Sequence, residues 1–387
     1  MNKVAVSAVA KTGTGPIAYG LFHCADLHTG AFRYIPDALA RTKKMFSEIK
    51  RVVLAVPAKE RILNIVGDAY DRKTITEEER NAFLEFVIDL VLSGVHVILI
   101  NGNHDFYNES LTLIEPVKQM ARLADHLHVH TKTPGVTRIG DIAFGCVPCT
   151  QGLTTEQVTA LATMLHKQAH QDGKPPRAFY MLVHEAVRGS VNHKRTWQAK
   201  SDKYLHIPDL PFVTGWMLGD IHECQQIHAK AWYSGAPYQV KSDESERCGI
   251  LQWAGSQTRF HPLQVPGFRY TSDIAMAKKL AAEGHYVRFT GKASEAELKS
   301  LPATVLCDGD IAAIELDVDV AVPELASNGL GSVDLISPLP EFLARDGCNE
   351  RQQQRGVELV LGIKNMLSAR SDRDSKSATE ESDDEEY

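Results

Sequence analysis

The sequence offers little that would place it in a membrane, outside the cell, or on a polyanion by bulk charge. No run reaches the ~18 apolar residues a bilayer span needs; the longest near-apolar stretch, Phe86 to Ile100, is broken by Asp89, Ser93, Gly94 and His96. At the N-terminus Lys3 precedes only the short run Val4 to Ala10, and Lys11 follows where a secretion signal keeps its cleavage region uncharged. Residues 1–16 are therefore expected to be an extension. Cysteines number seven and scatter without regular spacing from Cys24 to Cys348, which excludes a disulfide framework and fits a reducing, cytoplasmic compartment. Cys146 and Cys149 form a CxxC, but no second pair exists to complete a zinc knuckle. Charge of one sign is also scarce: 42 basic against 49 acidic residues leave −7, and Arg370 to Tyr387, with eight acids and three bases, supplies −5 of it. A polyanion must then be met by a local basic patch or by bound metal.

What is present is an alternation of short apolar runs and longer helical patterns. Strand-length runs are Ile17–Cys24, Ile62–Val66, Val95–Ile100, Ile142–Val147, Phe179–His184 and Trp216–Gly219. Helical patterns fall between them at Ile35–Val56, Thr76–Ser93, Ser110–Leu123 and Thr154–His170. Two open with capping boxes, Thr76 with Glu79 and Thr154 with Gln157, in which each partner satisfies an orphan helix amide of the other. Alternating elements of this kind predict a layered α/β domain over 17–265. A small α+β module is expected over 266–345, with helices at Ile274–Glu283 and after Ser294, and strands at His285–Thr290 and Ala313–Val320. A last helix is expected within 346–370, as a docking element for a partner, followed by an acidic tail, 371–387, too polar to fold.

Chemistry concentrates at one address. Five strand-like runs end in Asp26-Leu27-His28, in Gly67-Asp68-Ala69-Tyr70-Asp71, in Asn101-Gly102-Asn103-His104-Asp105, at His184, and in Gly219-Asp220-Ile221-His222. Ligands of α/β sheets bind at the carboxyl ends of strands, so these residues can share one crevice. Asp26, His28, Asp68, Asn103, His184, Asp220 and His222 are oxygen and imidazole donors without a thiolate, a set suited to Mn²⁺, Fe²⁺, Mg²⁺ or Zn²⁺. Seven donors exceed one tetrahedral ion and fit two ions that share a carboxylate. Singly, each piece has an ordinary reading as a turn or a satisfied histidine; the ordered set does not. A second histidine group, His126, His128 and His130, alternates as a strand would, and without nearby acids it reads as a plain solvent-facing strand.

At these residues the chain resembles the calcineurin-like metallophosphoesterases, whose ordered blocks are DxH, GDxxD, GNH[DE], H and GHxH. The resemblance covers about residues 17 to 240 and implies a four-layer αββα core with a dinuclear centre along one edge. Within that superfamily the chain looks most like the SbcD-type DNA repair nucleases. The points of likeness are the long insert between the first two blocks, Tyr233-Ser234-Gly235-Ala236-Pro237 after the last block, and the small capping module. The likeness implies that Asp26, His28, Asp68 and His222 hold one metal, with Asp68 bridging. Asn103, His184 and Asp220 would hold the other. It further implies Mn²⁺, or Mg²⁺, as cofactor, and His104 as the group that stabilises or protonates at the scissile phosphate, oriented by Asp71. The ordinary alternative for Asp71 is a helix cap or surface pair after the second strand. One departure is Asp220, where the superfamily usually has histidine; three carboxylates against two divalent ions favour Mn²⁺ or Mg²⁺ over Zn²⁺.

The function so implied is hydrolysis of DNA phosphodiesters, beside an SbcC-like coiled-coil ATPase and as a homodimer. Phosphate contacts are expected from Lys43, Lys44, Lys50 and Arg51 on the first helix and from His193, Lys194 and Arg195 after the fourth block, although such charges are commonly a solvated face. Two alternatives stay open: a phosphatase of phosphoproteins or small phosphoesters, and a catalytically silent DNA-binding subunit weakened by Asp220.

Overall fold

The computed structural model describes residues 19–31, 37–108, 111–149, 152–171, 173–192, 199, 204–302 and 305–307. All of them fall within one compact unit, residues 1–314. The expected extension 1–16, the strand Ala313–Val320, the segments 346–370 and 371–387, and the candidate contacts His193, Lys194 and Arg195 lie outside the described residues.

Two six-stranded sheets form the core. The first runs β12 (Gln257–Pro262), β11 (Gly249–Ala254), β1 (Tyr19–Cys24), β2 (Glu60–Val66), β3 (Val95–Ile100), β4 (Leu127–His130). The second runs β5 (Gly135–Ile139), β6 (Ile142–Val147), β7 (Ala178–His184), β8 (Gly215–Gly219), β10 (Ala231–Tyr233), β9 (Gln225–His228). Both are mixed: β1 to β4 pair in parallel while β11 and β12 add antiparallel, and β6, β7, β8 and β10 are parallel between two antiparallel edges.

Alternation of side chains along the strands divides the buried apolar residues into three clusters, as it must when both faces of a sheet are covered. Phe22, Leu63, Ile65, Val97 and Leu99 pack on Met45, Phe46 and Ile49 of α1 (Ala38–Ala55) and on Phe83, Phe86 and Val87 of α2 (Glu77–Leu92). Leu21, Ile62, Val66 and Ile98 point the other way, to Phe144, Tyr180, Leu182 and Met217 of the second sheet. The outer face of that sheet, Phe179, Met181, Val183 and Trp216, is covered by Val158, Ala162 and Leu165 of α4 (Thr155–Gln168). Helices, sheet, sheet and helix are thus stacked in the expected order. The capping boxes at Thr76 and Thr154 are both formed. Among the described residues no helix is long and apolar enough to cross a membrane.

Two expectations are corrected. The helix read over Ser110–Leu123 is only the short α3 (Glu115–Met120), because Phe106 bridges Thr112 and draws the preceding residues into a tight loop. His128 and His130 share one strand face, yet that face looks toward the second sheet, since Leu127 and Val129 pack against the helical side. His130 Nε2 lies 2.8 Å from Thr137 Oγ1, and the His96 ring is 4.2 Å from that of His126, so these imidazoles are half-buried.

The capping module adds a parallel sheet β13 (Phe268–Thr271), β14 (Tyr286–Phe289), β15 (Val305–Cys307), with α5 (Ile274–Ala282) and α6 (Glu295–Lys299). Ala277, Val287, Phe289 and Val305 give it an apolar cluster of its own. One of its anchors on the core is Arg41 of α1, which is buried, donates to Pro266 O at 2.9 Å, and lies 5.2 to 5.4 Å from the rings of Tyr238, Phe268 and Tyr286.

Candidate metal centre

The loops that leave β1, β2, β3 and β8, and the last residue of β7, meet at one edge of the stacked sheets. Pairing between β1 and β2 continues past the strand ends: Asp26 N donates to Gly67 O at 3.1 Å and His28 N to Asp68 O at 3.0 Å. This zippering bends the backbone into the left-handed region at Asp26 (φ 56°), His28 (φ 41°) and Asp68 (φ 52°), and Asp220 stands at φ 96°. Such conformations are costly for residues with a Cβ and persist where the surroundings enforce them, commonly at functional sites. Here they turn four polar side chains inward.

Glycines permit the approach. A Cβ on Gly67 would stand 2.1 Å from His184 Nδ1, one on Gly102 2.1 Å from Asp68 Oδ1, and one on Gly219 2.1 Å from Val66 O. The glycines that precede Asp68, Asn103 and Asp220 are therefore the places where the two sheets and their ligands come too close for any side chain.

Two groups of donors converge, Asp26 with His28 and His222, and Asp26 with Asp68 and His184. Asp68 Oδ2 lies between the groups, 3.4 Å from His184 Nε2 and 3.7 Å from His28 Nε2. Asn103 Oδ1 joins the second group, 3.0 Å from His184 Nε2. Asp220 donates its backbone N–H to Asp26 Oδ1 at 3.1 Å, and its carboxylate is close enough to help raise the pKa of His184. All seven expected ligands are thus brought together.

Does this set fit divalent metal? Asp26 Oδ2 is buried with no hydrogen-bond partner. His28 and His222 face each other with Nε2 atoms 3.0 Å apart, while the Nδ1 of each turns to a carboxylate, Asp71 at 3.3 Å and Glu244 at 2.6 Å. Two such nitrogens need a cation or a shared proton between them. Electrostatics agree. Burial works against a charged His184, but Asp68, Asp26 and Asp220 outweigh it and hold its pKa well above the ordinary value. Burial opposes charge on Asp68 too, and His184, His28 and His104 outweigh it and keep that carboxyl low. Burial, with Asp68 adding to it, pushes Asp26 up. The field is that of a cation site, and the donors fit divalent metal.

His104 is exposed at the rim, its ring centroid 5.0 Å from that of His28. Its Nδ1 meets the backbone carbonyl of Asp71 at 2.5 Å, and its amide donates to Asp68 Oδ1 at 2.9 Å. Asp71 thus meets His104 through its main-chain carbonyl, while its carboxylate stands 3.3 Å from His28 Nδ1. Asp105 is fully buried and pins the loop by accepting from Gly102 N at 2.9 Å and Tyr70 N at 3.1 Å; burial and then Asp68 push its carboxyl up to about 7.

Three of the four basic residues expected on α1 are engaged in ion pairs. Lys44 and Arg51 pair with Glu48 at 3.2 and 2.8 Å, and Lys50 with Asp89 at 2.6 Å; Lys43 is exposed. Sequence reasoning missed Glu244, which lies 22 residues beyond His222 in an unpatterned loop, and Tyr238, whose hydroxyl donates to His28 O at 2.9 Å. It also missed Arg72 and Lys241, whose charges are felt by Asp71 and His222.

Residues 20–173 match the family model described as calcineurin-like phosphoesterase. The two mixed sheets and the Asp/His cluster are consistent with a calcineurin-like metallophosphoesterase core over that span. The matched span ends before His184, so the last two blocks rest on geometry. No curated protein matches the chain. Solved structures that resemble it include the phosphopantetheinyl hydrolase of Mycobacterium tuberculosis at 13% identity, covering 56% of this chain and 88% of that one, TM-score 0.27, and a protein of unknown function, AQ665, from Aquifex aeolicus at 14% identity, covering 43% and 81%, TM-score 0.23. Likeness at that level carries no argument here.

Proposed function

We propose that this chain hydrolyses the phosphodiester bonds of DNA with two divalent cations, Mn²⁺ being the best fit. The observation that carries the reading is the pair of donor groups joined through Asp26 and Asp68, with His104 exposed beside them. Asp26, His28, Asp68 and His222 would hold the first ion, and Asp68, Asn103, His184 and Asp220 the second. When bound, the ions polarise a phosphoryl oxygen and acidify an attacking water.

The protein's own groups do the rest. Glu244 keeps the Nδ1 of His222 occupied and the Asp71 carboxylate stands 3.3 Å from that of His28, an arrangement that leaves each Nε2 for metal. The Asp71 carbonyl fixes the His104 ring, and its exposed edge can donate a proton to the departing oxygen. The choice of DNA rests on the likeness of Tyr233 to Pro237 to the nuclease family's segment; in this chain the segment backs the last ligand loop, Ala236 N donating to His222 O at 3.0 Å and Tyr233 OH to Glu185 O at 2.7 Å. The capping module follows directly. An ATPase partner and a homodimer belong to the same proposal.

Open and end-blocked duplex DNA, assayed with Mn²⁺ and with Mg²⁺, test it beside p-nitrophenyl phosphate and its bis ester. His104→Ala should lower the turnover of DNA and the bis ester by about 10²- to 10⁴-fold without changing the number of ions bound. Hydrolysis of the monoester alone would support a phosphatase instead. Metal binding without turnover, restored by Asp220→His, would support the silent-subunit alternative.

A further inference from the structure

Glu244 is a carboxylate at this edge that none of the five strand-end blocks supplies, and its bonding is fully committed. Its Oε1 lies 2.6 Å from His222 Nδ1, and its Oε2 accepts from Val240 N at 2.6 Å and Lys241 N at 3.0 Å. Two backbone N–H groups donate to one oxygen and a ring nitrogen meets the other, and an ionised carboxylate, unlike a carboxamide, can only accept. His222 must therefore carry its proton on Nδ1. The Nε2 lone pair is then left for the cluster, where it faces His28.

The loop that carries Glu244 is itself held by the capping module. Gln239 is buried, and its Nε2 donates to Glu244 O at 3.0 Å. Its Oε1 accepts from Phe268 N at 2.7 Å and from Arg269 Nη1 at 3.2 Å, at the start of β13. A continuous chain of bonds thus runs from the first strand of the module through Gln239 and Glu244 to a metal ligand.

We propose that Glu244 is a positioning residue: it fixes the tautomer and aim of His222 and so sets the affinity of the first metal, with Gln239 bracing it from the capping module. The proposal rests on the metal reading above. Carboxylates behind metal-bound histidines typically contribute about 10- to 100-fold in metal affinity, and that is the change expected here.

The test is calorimetric titration of the metal-free full chain with Mn²⁺, comparing wild type, Glu244→Gln and Glu244→Asp, with circular dichroism as the check on folding. Glu244→Gln should weaken one of two sites about 10- to 100-fold and leave the other within error; Glu244→Asp, still an acceptor at both oxygens, should recover part of the loss. Unchanged affinities with a lowered melting temperature would reduce Glu244 to a loop brace and overturn the proposal. Should Glu244→Gln not fold, nitrogen shifts of the Zn²⁺-loaded wild type decide: an Nδ1–H His222 supports the proposal, an Nε2–H ring overturns it. A wild type that binds no metal would overturn the metal reading itself and this inference with it.

Discussion

His23 shows how one side chain in the gap between the sheets ties stability to pH. It is fully buried, three residues before Asp26, and its Nε2 donates to Leu218 O at 3.1 Å. Burial, only partly offset by that carbonyl, pushes its pKa down to about 3. An unfolded histidine titrates near about 6.5. Above that value neither state is protonated and the full stability is present. Between about 6.5 and about 3 the unfolded chain binds a proton that the folded chain refuses, so stability falls as pH falls through that window. His130, pushed by burial to about 4, acts in the same sense. Urea midpoints measured from pH 7 to pH 4 in chelator should therefore decline, and decline less steeply in His23→Asn; identical slopes would contradict this reading. At the same scale lie the features the sequence could not display. Nothing in Asp26, His28, Asp68 or Asp220 announces a left-handed backbone, because that conformation is imposed by pairing between loops distant in sequence. The turn of Asp71 toward His28 is equally a product of tertiary placement.

At the scale of elements, α2 links local code to the site. Its capping box uses Glu79, whose Oε2 accepts from Thr76 N at 2.8 Å, and Oε1 of the same carboxylate lies 3.6 Å from Arg72 Nη2 beside Asp71. Thr76→Ala should cost about 1 kcal/mol, read from denaturant unfolding, and leave the metal count unchanged; a loss of metal would mean that the cap orders the site as well. Elements of this kind were legible because their signals are local. The run Val95–Ile100 is a strand to the residue, as is Ile142–Val147, and the boxes at Thr76, Thr154 and Ser294 all cap helices. β9 was not legible, since Gln225-Gln226-Ile227-His228 lacks apolar alternation and pairs only because β10 stands beside it. Nor was the fate of the α1 lysines, which depends on Glu48 sharing their helix and on Asp89 of α2 standing opposite Lys50.

For the whole molecule, the recurring address of polar residues at strand ends was the most informative signal. It survives folding because parallel strands in two stacked sheets deliver their carboxyl ends to one edge. The cluster joins residues almost two hundred positions apart, as in the contacts of His28 with His222 and of Asp26 with Asp220. Bound metal should accordingly stabilise both sheets together, and the capping module is tied in through Gln239 and Arg41. The central claim is that this edge holds two cations side by side. Anomalous diffraction from crystals soaked in Mn²⁺ tests it most directly. Two peaks are predicted, one among Asp26, His28, Asp68 and His222, the other among Asp68, Asn103, His184 and Asp220. No peak at this edge, or a single ion there at saturating Mn²⁺, would contradict it.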